Sequence, residues 1–222
     1  MDILQKRLLL KSKKQNGPTL PSVYQRVEYI EATGTQFIDS GYLSDSDYAP
    51  YKIRLDFQNM NTTTATSILG ATASISNFYP LLFETDISRN AWVFGHFGNS
   101  STIRSSARFG ELDTERHIFE YIFQNGVYLD GVLYEETVEQ ACISSIPNCN
   151  LGIFTRIRGG VADNTRYASA RLFDLEFYGK DGIERKYVPC YHKETAEVGL
   201  FELYTQQFLT NRGTGKFVYG EL

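Results

Sequence analysis

Apolar positions along this chain follow two different periods. Over residues 2–15, Ile3, Leu4 and Leu8 fall on one helical face, with Leu10 at its margin, and neither Gly nor Pro intervenes. Asn16-Gly17-Pro18 then stops the helix by turn chemistry. After Pro21 the period becomes two. Lys52-Ile53-Arg54-Leu55-Asp56-Phe57-Gln58 alternates cleanly and predicts a strand with Ile53, Leu55 and Phe57 inward. Arg116 to Phe123 predicts another, with either Ile118 and Ile122 or Phe119, Tyr121 and Phe123 facing the core. Gln124-Asn125-Gly126 and Asp130-Gly131 are tight-turn signals flanking Val127-Tyr128-Leu129, a meander of short antiparallel strands. Arg171 to Tyr178 alternates again, and Lys180-Asp181-Gly182 turns it into Ile183 to Val188. Shorter strands are predicted at 26–30, 36–39, 79–84, 91–97, 149–154, 199–203 and 215–219.

A dozen or so short strands with frequent turns and no second helical segment predict an all-β, antiparallel sandwich or barrel. Composition agrees. The chain has 15 Tyr and 15 Phe against 6 Pro, a bias that suits half-buried pleated surfaces. No linker interrupts 22–222, so the expected organisation is a helix over 1–17 and one sandwich over 18–222. At this length roughly 70% of the unfolded chain's surface can be buried, so the core needs no staples. The three cysteines, Cys142, Cys149 and Cys190, are too few and too odd for a disulfide framework. Free thiols are expected, with a Cys142–Cys149 bridge left open.

Charge separates the two parts. Lys6, Arg7, Lys11, Lys13 and Lys14 against Asp2 give residues 1–17 a net charge of +4. The remainder then carries −8 of a chain whose net charge is −4. An acidic body argues against general nucleic-acid binding, which needs a basic face. No segment approaches the roughly 20 apolar residues of a membrane helix. Leu8-Leu9-Leu10 is too short for a signal-peptide core, so synthesis in a bacterial cytoplasm without standard export is expected. A lone helix of this length is marginal in water. It is expected to pack on its own domain, or to serve as a docking or oligomerisation element through Leu4, Arg7, Leu8 and Lys11.

Two segments carry a family resemblance. One is LPSVYQRVEYIEATGTQFIDSGY, Leu20 to Tyr42. The other is RLFDLEFYGKDGIERKYVPCYHKETAEVGLFELYTQQFLTNRGTGKF, Arg171 to Phe217. Together they resemble the concanavalin A-like, laminin-G-like domains of bacteriophage and prophage structural proteins and of gut-bacterial surface proteins. The region 59–115 matches less well. The resemblance implies a jelly roll of two antiparallel sheets whose first and last segments lie close together. Val27, Tyr29 and Ile30 are expected beside the C-terminal strands, Asp39-Ser40-Gly41 to end a strand, and Gly213 and Gly215 to supply turn geometry that a β-carbon forbids. Members of the family are associated with carbohydrate or surface recognition, often without a proven ligand.

Chemistry-bearing candidates are sparse. Glucanases of this fold place two Glu on one face of a strand, and Glu111-Leu-Asp113-Thr-Glu115 fits the shorter spacing. It sits in a loop-like stretch after Gly110, however, and Glu84 with Asp86 has Arg89 where a last carboxylate belongs. No cofactor is expected. Asp163-Asn164 and Asp45-Ser46-Asp47 offer oxygen ligands for a structural calcium, without recognisable spacing. A glycan site wants an aromatic platform with polar neighbours. Trp92, the one Trp, has His96, Asn99 and Arg104 nearby in sequence and is the candidate, with core burial as its competing role. Tyr79 and Tyr167 are alternatives.

The expected function is non-enzymatic: a phage virion-associated structural protein with a lectin-like exposed module for host-surface glycan. Its partners are other virion proteins, through the N-terminal helix, and further copies of itself in a homo-oligomer. A free-standing bacterial carbohydrate-binding protein is the alternative, and a glycoside hydrolase the third reading.

Overall fold

A computed structural model describes residues 18–44, 50–72, 79–98, 106–122, 125–135, 149–179 and 184–222. The helix expected over 2–15 lies outside them, with Leu4, Arg7, Leu8 and Lys11. Strands come in chain order as β1 (Tyr24–Arg26), β2 (Tyr29–Thr33), β3 (Ile38–Ser44), β4 (Pro50–Asn59), β5 (Ser67–Thr72) and β6 (Tyr79–Asp86). A 3-10 turn (Ile87–Arg89) leads to β7 (Ala91–Gly98), β8 (Ser106–Phe109), β9 (Arg116–Ile122), β10 (Gly126–Leu129), β11 (Val132–Glu135), β12 (Cys149–Ile153) and β13 (Arg156–Arg158). The last are β14 (Val161–Ala162), β15 (Ser169–Gly179), β16 (Glu184–His192), β17 (Glu197–Glu202), β18 (Gln207–Thr210) and β19 (Val218–Gly220). Among the described residues no α-helix forms, and no helix is long and apolar enough to cross a membrane.

These strands build two sheets. The larger runs β11-β10-β9-β4-β15-β16-β17-β18, with β2 joined to β15, β19 joined to β2 and β1 to β16. The smaller runs β14-β13-β5-β6-β7-β8, with β12 joining β5 to β3. Pairing is antiparallel except where β13 lies parallel to β5. In the larger sheet Leu55 of β4 stands opposite both Phe119 and Leu175. That register puts Ile53, Leu55 and Phe57 in one buried row, as their alternation predicts. It also settles the face of β9: Phe119 and Tyr121 are buried, while Ile118 and Ile122 are only half-covered.

The sheets meet through aromatic rings. Phe83 of the smaller sheet lies 4.4 Å from Phe119 and 5.3 Å from Phe57 of the larger, and Phe94 lies 4.6 Å from Tyr121. Removing each such ring from water is worth roughly 1.5–3 kcal/mol. One contiguous core runs from Val27 to Phe217. A smaller cluster of Val188, Cys190, Phe201 and Leu203 is covered by Leu20, Tyr24 and Phe208. The Cys190 thiol is buried there, free, and pushed up to about 12 by that burial, so it is unreactive as a nucleophile.

The two resembling segments are joined, as the resemblance implies. Ile30 pairs with Tyr219 and with Leu172, and the Val27 N–H donates to the Pro189 carbonyl. Asp39-Ser40-Gly41 departs from expectation. It lies inside β3, where the register slips opposite Asn150 and Gly152, and Gly41 takes a φ of 65°. The residues that look like a strand end make a bulge, which keeps the strand going while bending it.

At the closing turn Gly213 donates to the Asn211 side chain, while Arg212 and Thr214 donate to the carbonyls of Phe37 and Thr35. A β-carbon on Gly213 would collide with the Thr35 carbonyl oxygen, and Gly215 has a φ of +77°. Gly213→Ala is therefore expected to cost about 1–3 kcal/mol of stability, read as a lower urea midpoint at unchanged slope.

Candidate functional site

A pocket of about 510 Å³ opens where these segments join. That volume is in the range of small-ligand sites, roughly 300–1,000 Å³. One wall is the turn between β16 and β17. Ala196 takes a left-handed φ of 57° there, its N–H donates to the His192 carbonyl, and the Thr195 N–H donates to His192 Nδ1 at 3.2 Å. The other wall is the 211–216 turn. Asn211 Oδ1 accepts from the N–H groups of Phe37 and Gly213, and its Nδ2 donates to the Gly215 carbonyl at 3.0 Å. Buried Gln36 reaches across and donates to the Lys216 carbonyl at 3.0 Å. Both walls are thus held by backbone and amide bonds, with the amide of the lining residue Asn211 used up in holding its own turn.

Val198 and Phe217 supply apolar lining. Thr195, Glu197, Lys216 and Tyr219 supply polar groups, and none of these four side chains makes a hydrogen bond or ion pair within the described residues. Tyr219 is 37% exposed on β19, its ring 5.9 Å from that of Tyr191. An exposed ring edged by an unpartnered hydroxyl, carboxylate and ammonium matches a ligand with a ring face and many hydroxyls. Such a ligand gives and accepts hydrogen bonds at once.

Trp92 is not at such a surface. It is fully buried on β7, 5.1 Å from Phe57 and 5.4 Å from Phe83, so the exposed-platform expectation is corrected to a core role. Its ring fills space between the sheets because β7 faces β4 across the core. His96, also on β7, stands opposite Leu81 of β6. Asn99 and Arg104 fall outside the described residues, as do Asp45 and Asp47.

Glu111, Asp113 and Glu115 lie in the connection before β9, not on a strand, and Asp113 is bonded to His117 at 2.8 Å. Buried Glu84 accepts from Ser67 and from Arg156. Arg156 also holds Asp163 at 2.8 Å, and Thr165 donates twice to Asp163. Burial raises the Asp163 pKa, but the bonds from Thr165 and Arg156 outweigh it and hold the carboxyl below its usual range. Its oxygens thus accept from an arginine and from the 163–165 turn. Among the described residues no group of three or more His, Cys, Asp and Glu is placed to hold a metal ion.

One carboxylate pair escapes the sequence reading. Asp174 and Glu176 are two apart on β15 and share its outer face, and Lys186 of β16 reaches both. Burial raises the Asp174 pKa. For Glu176 burial also raises it, but the Lys186 bond outweighs this and lowers it. A lysine held between them makes this a satisfied ion cluster. The same face carries Arg116 bonded to Asp56 over the Phe173 ring, and Arg171 bonded to Glu31 over Tyr29. Neither a protein-family model nor a curated protein sequence matches the chain.

Proposed function

We propose that this chain is a non-catalytic recognition module of a bacteriophage virion, a concanavalin A-like jelly roll whose 195–219 pocket binds host-surface glycan. The observation that carries the reading is the pocket itself. It combines a half-exposed tyrosine with three unpartnered polar groups on a preformed frame. The resemblance of Leu20–Tyr42 and Arg171–Phe217 supports the family, since the pocket lies at the junction of those two segments. The non-catalytic part rests on where the carboxylates are: Glu84, Asp163, Asp174 and Glu176 are each engaged by an arginine or a lysine. The virion setting rests on the resemblance and on the basic segment 1–17, which serves as the attachment element to other virion proteins and within a homo-oligomer. Assembly follows synthesis in the bacterial cytoplasm.

A glycan array probed with the purified protein tests the pocket. Tyr219→Ala removes the stacking face from an exposed site, so the fold should persist while affinity for the best glycan falls about tenfold or more. Wild-type-like binding by that variant, or binding to no glycan at all, would sink the pocket reading.

A further inference from the structure

We propose that His117 is a pH-sensitive clasp. With its ring protonated it holds the 110–115 connection and the β10–β11 turn onto the start of β9 together; when the proton leaves, one of the two contacts is lost and the pair is no longer clasped. The ring sits between two carboxylates, with Nε2 2.8 Å from Asp113 Oδ1 and Nδ1 2.7 Å from Asp130 Oδ2. An ionised carboxylate only accepts hydrogen bonds. Both ring nitrogens must therefore donate, which only the imidazolium does. A neutral ring turns a lone pair on one of its two partners.

Each carboxylate anchors a different segment. Asp130, at a left-handed φ of 51°, accepts from the Ile118 N–H and donates its own N–H to the Ile118 carbonyl. Asp113 accepts from the Glu115 N–H and follows Leu112, a buried side chain whose N–H donates to the Asn90 carbonyl. The connection lies over the core: a β-carbon on Gly110 would stand 3.4 Å from Trp92 and 3.1 Å from Leu129. The turn carries β11, whose Val132, Leu133 and Tyr134 are exposed.

The connection presents Asp113, the turn presents Asp130, and β4 presents the Phe57 ring at 6.1 Å. Arg116, the next residue on β9, points to the opposite face and is bonded to Asp56. Burial lowers the imidazole pKa, but the hydrogen bonds and charges of Asp130 and Asp113 outweigh it and raise it above 6.5. The clasp is then at full strength below pH 6.5 and lost as pH rises through the raised value.

Trp92, the one Trp in the chain, lies under the connection and reports its opening. Its emission should follow a sigmoid whose midpoint lies above pH 6.5, together with the His117 ring resonances. Exchange of the Leu112 amide should quicken by about tenfold beyond the intrinsic base-catalysed rise. Asp113→Asn and Asp130→Asn should each move the midpoint down, and His117→Gln should abolish it. A ring titrating at or below 6.5, or a sigmoid persisting in His117→Gln, overturns the proposal. Should His117→Gln not fold, Asp113→Asn carries the test alone, since that carboxylate is surface-exposed; an unmoved midpoint is then the negative result. Glycan binding at Tyr219 is a separate readout, so either idea can fail without the other.

Discussion

Glu202→Ala should lower the stability of the fold by about 3 kcal/mol or more, a loss read in urea or thermal unfolding. The side chain is 2% exposed at the end of β17. Its Oε1 accepts from the N–H groups of Lys186 and Tyr204, each at 3.1 Å, and its Oε2 accepts from the Thr205 N–H. The carboxylate therefore serves three donors: two in the turn toward β18 and one on the neighbouring strand β16. Alanine takes away the acceptor that all three share and leaves them around the space of a side chain only 2% exposed. Each orphaned buried donor costs about 1–3 kcal/mol. Glu202→Gln keeps one accepting oxygen but turns an amide toward backbone N–H groups, so it should recover only part of the loss. A cost below about 1 kcal/mol for alanine would mean that water satisfies the turn and that the burial is overstated.

How legible each element was depended on whether its partners were local. Ile53, Leu55 and Phe57 could be placed because a strand with one buried face writes that face into its own alternation. The face of β9 could not, since both of its rows are apolar and only the pairing with β4 decides between them. Strand β5 left no period at all. All six residues of Ser67–Thr72 are buried, and a strand covered on both faces has nothing to alternate. The closing turn was legible through Gly213 and Gly215, yet the pocket beside it was not. Its polar groups come from two turns and from the strands β17 and β19, which meet only once the sheet is assembled. Tyr219 lay just past the closing motif, within a predicted strand, and its exposure follows from the β19 edge position rather than from its neighbours in sequence. Asp174 and Glu176 fall within the alternation of Arg171 to Tyr178, but Lys186, which neutralises them, comes from the next strand.

Trp92 is where the two kinds of information disagree most, and its substitution separates them. Trp92→Ala should cost about 3–5 kcal/mol, the range for emptying a large aromatic site in a core. The hole would open beside Phe57 on one sheet and Phe83 on the other, whose rings both pack against Trp92 and against each other. Trp92→Phe should cost far less. Its smaller ring leaves a partial cavity, but it also removes the indole Nε1, which is buried without a hydrogen-bond partner among the described residues. Such an orphan donor costs about 1–3 kcal/mol, so the two effects oppose and a net change within about 2 kcal/mol is expected. Far-UV circular dichroism follows both variants, since the tryptophan signal is gone. The binding outcome then discriminates. A folded Trp92→Phe protein should keep its glycan affinity while Tyr219→Ala loses it, because the ring that meets solvent is the tyrosine. A folded Trp92→Phe protein that no longer binds glycan would return the site to β7 and remove the pocket from consideration.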